Sequence, residues 1–299
     1  MIRDRPLEYP GDVWPVRDFL VRLFPAAPRA TVWDVRRWEG SIFYAAEPGL
    51  APERAARSRL WVAGTGRIVA AALSEGGRQL HPHVAPEAAE LLEEVVAWAE
   101  QAARAAGDDR VFLHVWDHDE ATRRVALARG YHESDGWEIL RSVRSPATPP
   151  PRAAPEGYVL RPTRDDPADE QGIADLLNVA FGRTIHHAAE HATFARLAPC
   201  FRRETDLVAE APDGSLAAYA ALCWDSCNRL ATFEPVCTHP EHRQRGLAKA
   251  LMLEGMRRAV GLGAAVIDVA TGDADPANAL CAALPFSEVY RGQFWTREL

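Results

Sequence analysis

The segment Val236-Cys-Thr-His-Pro-Glu-His-Arg-Gln-Arg-Gly-Leu-Ala-Lys-Ala-Leu251 constrains the fold more than any other part of the chain. It reads as an apolar strand (Leu230 to Cys237), a short basic turn, and a helix opening at Gly246, Leu247 and Ala248. The first N–H groups of a helix have no partner inside it, and the helix dipole adds positive potential at that end. Such a start is a cradle for phosphates. Small residues at Gly246 and Ala248 leave the backbone reachable, while Arg243, Gln244, Arg245 and Lys249 surround it with donors and charge. The spacing is neither the G-x-x-x-x-G-K-[ST] of a P-loop nor the G-x-G-x-x-G of a dinucleotide fold. An alternative without function, a basic helix start on the surface, fits the same six residues.

The residues beyond Leu251 narrow the choice. The helix is expected from Leu247 to Val260, with Gly261-Leu-Gly263 as its C-cap. Ala264 to Ala270 reads as a buried strand. Asp275 is the expected N-cap of a short helix from Ala277 to Leu284, and Glu288 to Thr296 a closing strand. Arg243-x-x-Gly246-x-Ala248 resembles the coenzyme A pyrophosphate loop of the GNAT acetyltransferases, R/Q-x-x-G-x-G/A. Ala277, Leu280 and Phe286 match that family's ending, N-x-x-A-x-x-L-Y-x-x-x-G-F. The resemblance spans 156–299 and implies an acyl-coenzyme A N-acyltransferase fold: α/β, a mixed and mostly antiparallel sheet flanked by helices.

The order of elements is written twice. Ser142 to Pro155 is proline-rich and apolar-poor, and reads as a linker over 146–155. After it come a strand at Tyr158–Pro162, a helix at Asp169–Phe181 and a hairpin from Asp206 to Leu222 turning at Asp213-Gly214. Before it, Arg59–Leu73 is a hairpin turning at Gly64-Thr-Gly66, Pro86–Ala106 a helix, Val111–Val115 a strand and Trp137–Val143 a closing strand. Val125, Gly130 and Tyr131 fit the same family ending. Two tandem GNAT-like lobes are expected, a degenerate one at 1–145 and an acetyl-CoA-binding one at 156–299, in a layout similar to the mycothiol synthases. The first has no basic glycine turn, and Glu87 and Glu90 at its helix start oppose a pyrophosphate. Scaffold, acceptor wall and oligomer surface are its open roles.

Composition limits the partners. The net charge of −8 argues against nucleic acid. No run approaches the ~20 apolar residues of a membrane span, and Met1-Ile-Arg-Asp-Arg-Pro6 is no signal peptide, so a cytoplasmic, monomeric or homodimeric protein is expected. Cys223-x-x-x-Cys227 has neither metal nor redox spacing, and packing thiols are expected. His187 and His191 have the i,i+4 spacing of a zinc pair without further ligands, so no metal is expected and acceptor recognition remains. Trp33, Trp38, Trp61, Trp98, Trp116 and Trp137 are expected in the core of the first lobe.

The resemblance also implies roles. The edge Pro235–Thr238, including Val236, Cys237 and Thr238, would pair with the pantetheine arm, and an N–H near Val236 would polarise the thioester. Glu234 sits where some members carry a catalytic base; a solvated strand residue is the alternative, and Asp225, His239 and Asp268 are lesser candidates. Cys281 stands where many members have a tyrosine acid, with a packing thiol as its alternative, and Asn278 lies near enough to meet the cofactor. The implied activity is direct acetyl transfer from acetyl-CoA to a primary amine of a small molecule in a ternary complex. A catalytically silent coenzyme A sensor and a mycothiol synthase-like enzyme are the rivals.

Overall fold

The computed structural model describes residues 1–74, 78–144, 147–149 and 154–299. Much of the expected linker, 146–155, therefore lies outside the described residues. The elements in order are β1 (Ile2–Pro6), α1 (Val13–Leu23), α2 (Val35–Phe43), α3 (Pro52–Ala56), β2 (Arg59–Ala63), β3 (Ile68–Ser74) and β4 (Gln79–Val84). Then come α4 (Leu92–Ala105), β5 (Arg110–Trp116), α5 (Glu120–Ala128), β6 (His132–Arg144), β7 (Val159–Pro162), α6 (Pro167–Phe181) and α7 (Ala188–Leu197). The last are β8 (Asp206–Glu210), β9 (Leu216–Asp225), β10 (Leu230–Thr238), α8 (Leu247–Gly261), β11 (Val266–Thr271), α9 (Asp275–Ala282) and β12 (Glu288–Glu298).

The chain divides into two compact units. One holds Met1–Ser41, Gly49–Leu140 and Tyr290–Leu299; the other holds Ile42–Pro48 and Arg141–Val289. The expected closing strands do not each stay in their own lobe: β6 divides between the two units, and most of β12 falls in the first. β12 pairs antiparallel with β5 in the first unit, from Gly292 opposite Trp116 to Glu298 opposite Arg110. The end of β6, Arg141 to Arg144, belongs to the second unit, where Ser142 Oγ donates to Asp268 of β11 at 2.6 Å. Strand partners are set by tertiary register, which a linker's position does not reveal.

In the first unit β1, β2, β3 and β4 pair antiparallel in sequence, and β4 joins β5 in parallel over Gln79–Leu80. The apolar face of α4 (Val95, Val96, Ala99, Ala103) covers Trp61, Leu113 and Val115. The helix expected from Pro86 breaks at Ala88, whose φ of −131° is non-helical, and Pro86–Leu91 is a 3-10 segment. Trp33, Trp38, Trp61 and Trp116 are buried as expected, whereas Trp98 and Trp137 are half-buried.

The second unit positions the site. β7, β8, β9 and β10 are antiparallel neighbours, and β11 joins β10 in parallel. Side chains alternate along β9, so Ala218, Ala220 and Leu222 face one side while Tyr219 and Ala221 face the other. α8 covers the first side through Leu251, Met252 and Met256. It lies so close that a Cβ on Gly255 would stand 2.8 Å from the Phe233 ring. α6 covers the second side through Ile173, Leu176 and Leu177. Asp166 caps α6 at Asp169 N–H, with Pro167 in its first turn and left-handed Gly182 ending it. Among the described residues, no helix is long and apolar enough to cross a membrane.

Candidate active site

The site begins where two parallel strands part. β10 pairs with β11 only from Leu230 opposite Val266 to Phe233 opposite Val269. Against β9 it continues to Thr238 opposite Ala218, with a bulge between Phe233 and Val236. Glu234–Pro235, a cis peptide, fills the bulge, and Pro235 brings no N–H to continue a ladder. His239 N–H bonds Ala217 C=O at 2.9 Å, toward β9. Backbone groups alternate along a strand, so the N–H groups of Val236 and Thr238 turn to the open edge.

The turn after β10 is held from several sides. Pro240–His242 forms a 3-10 turn, and His239 Nδ1 accepts from Glu241 N–H at 3.3 Å. Tyr158 OH meets His242 Nδ1 at 2.8 Å, tying the turn to the start of the unit. Gln244 (φ 63°) and Gly246 (φ 77°) are both left-handed, which brings successive N–H groups to one concave side. A Cβ on Gly246 would meet nothing within 4 Å, so the hollow is open. α8 then starts without a side-chain cap or an acidic residue in its first turn. Its first internal bond is Ala250 N–H to Gly246 C=O. Arg243, Gln244 and Arg245 are exposed, Ala248 and Lys249 half-buried, and Leu247 buried beneath them. Arg243 donates to Ala180 C=O at 3.2 Å, and Arg245 to Glu241 C=O at 3.4 Å.

The candidates for proton transfer sit in contrasting places. Glu234 is exposed at the bulge. Asp225 is buried and tied to its own turn through Cys227 and Asn228, and Asp268 holds Ser142. Cys281 is 3 % exposed among the α8-side core residues, and burial pushes its thiol up while the charge of Arg141 opposes that shift. Burial also pushes the Cys237 thiol up to about 12. All five cysteines are free.

Asn278 is engaged on both sides of its amide. Nδ2 donates to Gly272 and Ala274 C=O at 3.1 and 3.2 Å, and Oδ1 accepts from Thr271 Oγ1 at 2.8 Å and Arg141 Nη1 at 3.0 Å. It fixes the loop into α9 from within. The helix itself begins at Asp275, after Ala274, so Asp275 is its first residue rather than its cap. Sequence reasoning missed Arg141, which stands in a strand assigned to the other lobe.

The histidine pair separates. His187 caps α7 in a capping box with Glu190, and His186 Nδ1 meets Glu190 at 3.1 Å. His191 turns inward, with Nε2 2.9 Å from Asp206, which also accepts from Thr163 at 2.6 Å and Tyr219 at 2.7 Å. Tyr44, from the Ile42–Pro48 segment, packs tilted against Phe194 and edge-on against His186, with ring centroids 5.7 and 6.3 Å apart. No group suited to a metal is found among the described residues.

Residues 171–284 match the family model "Acetyltransferase (GNAT) family". Among solved structures, a tandem GNAT protein from the clavulanic acid biosynthesis pathway superposes with a TM-score of 0.68 at 21% identity, covering 100% of this chain and 98% of its own. A GCN5-related N-acetyltransferase from Sphaerobacter thermophilus gives 0.63 at 18% identity, covering 99% and 95%. A GNAT-family acetyltransferase from Colwellia psychrerythraea gives 0.62 at 12% identity, covering 99% and 100%. None of the curated proteins matches the chain in sequence.

Proposed function

We propose that this chain, whose residues 171–284 match the GNAT acetyltransferase family model and whose fold is shared with a tandem GNAT protein, is an acyltransferase of that family that moves an acetyl group from acetyl-CoA directly to a primary amine of a small molecule. The second unit does the chemistry in a ternary complex. One observation carries the reading: the left-handed pair Gln244 and Gly246 opens an uncapped helix start onto free space, between Arg243 and Arg245. A diphosphate there receives the N–H groups through Ala248 and the charge of Lys249. The pantetheine arm then runs along the open edge of β10, where the N–H of Val236 and Thr238 give it a strand's hydrogen bonds.

The thioester carbonyl lies at that edge, polarised by a backbone N–H, and the amine approaches from the side of α6 and α7. Glu234 takes the ammonium proton through water, since it is exposed rather than buried. Cys281, neutral in its buried place, offers the leaving sulfur a weak S–H donor. Asn278 holds the α9 loop in place.

Titration calorimetry with coenzyme A tests the cradle. Gly246→Glu places a carboxylate at the helix start and strains a left-handed residue; binding is expected to vanish while the circular dichroism spectrum stays that of the parent. Unchanged affinity would remove the assignment. The absence of a tyrosine at Cys281 favours a second reading, a silent coenzyme A sensor. Tight binding with no thiol release across a broad amine panel would select it.

A further inference from the structure

A buried guanidinium lies between the end of β11 and the helix that carries Cys281. Arg141 is 8 % exposed. Its Nη1 donates to Thr271 Oγ1 at 2.9 Å and to Asn278 Oδ1 at 3.0 Å, both neutral groups. Among the described residues no carboxylate lies within ion-pair distance of it. A charge removed from water without a counter-charge is costly, so an anion arriving beside Arg141 would be strongly favoured. The neighbours say where that anion belongs. Thr271 ends β11, the strand that parts from β10, and Asn278 stands one helical turn before Cys281 in α9. The charge of Arg141 is felt at the Cys281 sulfur.

We propose that Arg141 is a catalytic residue of the transfer, its guanidinium meeting the negative charge that gathers on the coenzyme A sulfur. The proposal rests on the acetyl-CoA reading of the site. The amine nitrogen bonds to the thioester carbon and the carbon–sulfur bond breaks. Sulfur leaves with the electron pair as a thiolate, and the ammonium proton passes by way of Glu234 to water. The thiolate needs no proton at that moment, because Arg141 stabilises it as the anion. A fixed positive charge thus does here the work that a tyrosine acid does in the resembling enzymes. Thr271 and Asn278 are its positioning residues: they hold one edge of the planar guanidinium and leave the other for sulfur.

The test uses the full chain and free coenzyme A, so no acceptor has to be known. Coenzyme A enriched in carbon-13 at the carbon bonded to sulfur is bound to the protein and titrated from pH 6 to 10 by NMR. In the wild type the bound thiol is expected to ionise about one to three pH units below free coenzyme A, the effect of an opposite charge at contact distance. Arg141→Lys keeps part of that acidification, and Arg141→Gln loses it. Cys281→Ala retains it. A wild-type bound thiol that ionises with the free one, or above it, overturns the proposal whatever the variants do. Loss of the acidification in Cys281→Ala overturns it as well, by moving the effect to the cysteine. Failure of coenzyme A to bind would instead sink the acetyl-CoA reading itself, so the two failures are distinct.

Discussion

Acidification should destabilise the first unit well before its carboxylates titrate. Three histidines meet there around one tryptophan: the Trp33 ring lies 5.0 Å from His81 and 5.4 Å from His83, and His81 lies 5.6 Å from His114. Their exposures are 4, 2 and 6 % for His81, His83 and His114. Burial, then the charge of Arg37, pushes His83 and His114 down to about 3, and His81 well below its ordinary value for the same causes plus its histidine neighbours. Glu138 faces the cluster too, 3.4 Å from His114 Nε2, and does not outweigh the burial. A depressed value in the folded state means that the unfolded chain binds the protons, so stability falls as pH drops below the unfolded value near ~6.5.

At pH 5 each of His83 and His114 then costs about 2 kcal/mol relative to neutral pH, and the pair about 4 kcal/mol, with His81 adding in the same direction. For a unit of this size that is a fall in Tm of roughly 8–16 °C. Asp12, Glu100 and Asp108 are held low by arginines, so their contributions are lost only as pH falls into and through the usual carboxylate range, and the window from pH 6.5 to 5 belongs to the histidines. Tryptophan fluorescence is the right probe, because of nine tryptophans only Trp224 lies in the second unit. Melts at pH 7 and pH 5 should differ by that amount, and His83→Phe should remove about half of the difference. A Tm flat across the window would refute the reasoning.

Glu234→Gln is expected to lower kcat by roughly a hundredfold at neutral pH and less where the free amine is already deprotonated; stopped-flow thiol release at pH 7 and 9.5 checks this, and an equal loss at both would exclude a base at that position. Asp206→Asn should cost about 2–4 kcal/mol in urea unfolding, because the new amide N–H faces the donors on Thr163, His191 and Tyr219; a change under about 0.5 kcal/mol would mean the network is not formed. Residues 156–299 alone are expected to fold poorly, since they lose the Arg141–Arg144 strand and leave β12 without β5; the full chain cut at a protease site placed in the proline-rich stretch should stay associated and bind coenzyme A. Clean folding of that fragment with full affinity would argue against that division of the strands.

The parts of the site that were legible are those written in consecutive residues. The proposed phosphate cradle needs a strand, a turn and a helix start, and the run from Val236 to Leu251 carries all three, with a left-handed Gly246 before the helix. The bulge at Glu234-Pro235 also had a local signal, a proline inside a strand, which should have marked the ladder's end there. So did α1, where Val13, Val16, Leu20 and Leu23 recur at helical spacing and are all buried. Arg141 had none. Its partners Thr271 and Asn278 lie 130 and 137 residues away, and they meet it only because the end of β6 enters the second unit while Tyr290–Leu299 enters the first. Chain order suggests that each lobe closes its own sheet; side-chain burial and register decide otherwise. The first half is thereby more than a degenerate copy: its Ile42–Pro48 segment belongs to the second unit, where Tyr44 meets His186 edge-on, and the end of β6 brings that unit the buried guanidinium of Arg141, the group proposed to meet the leaving sulfur.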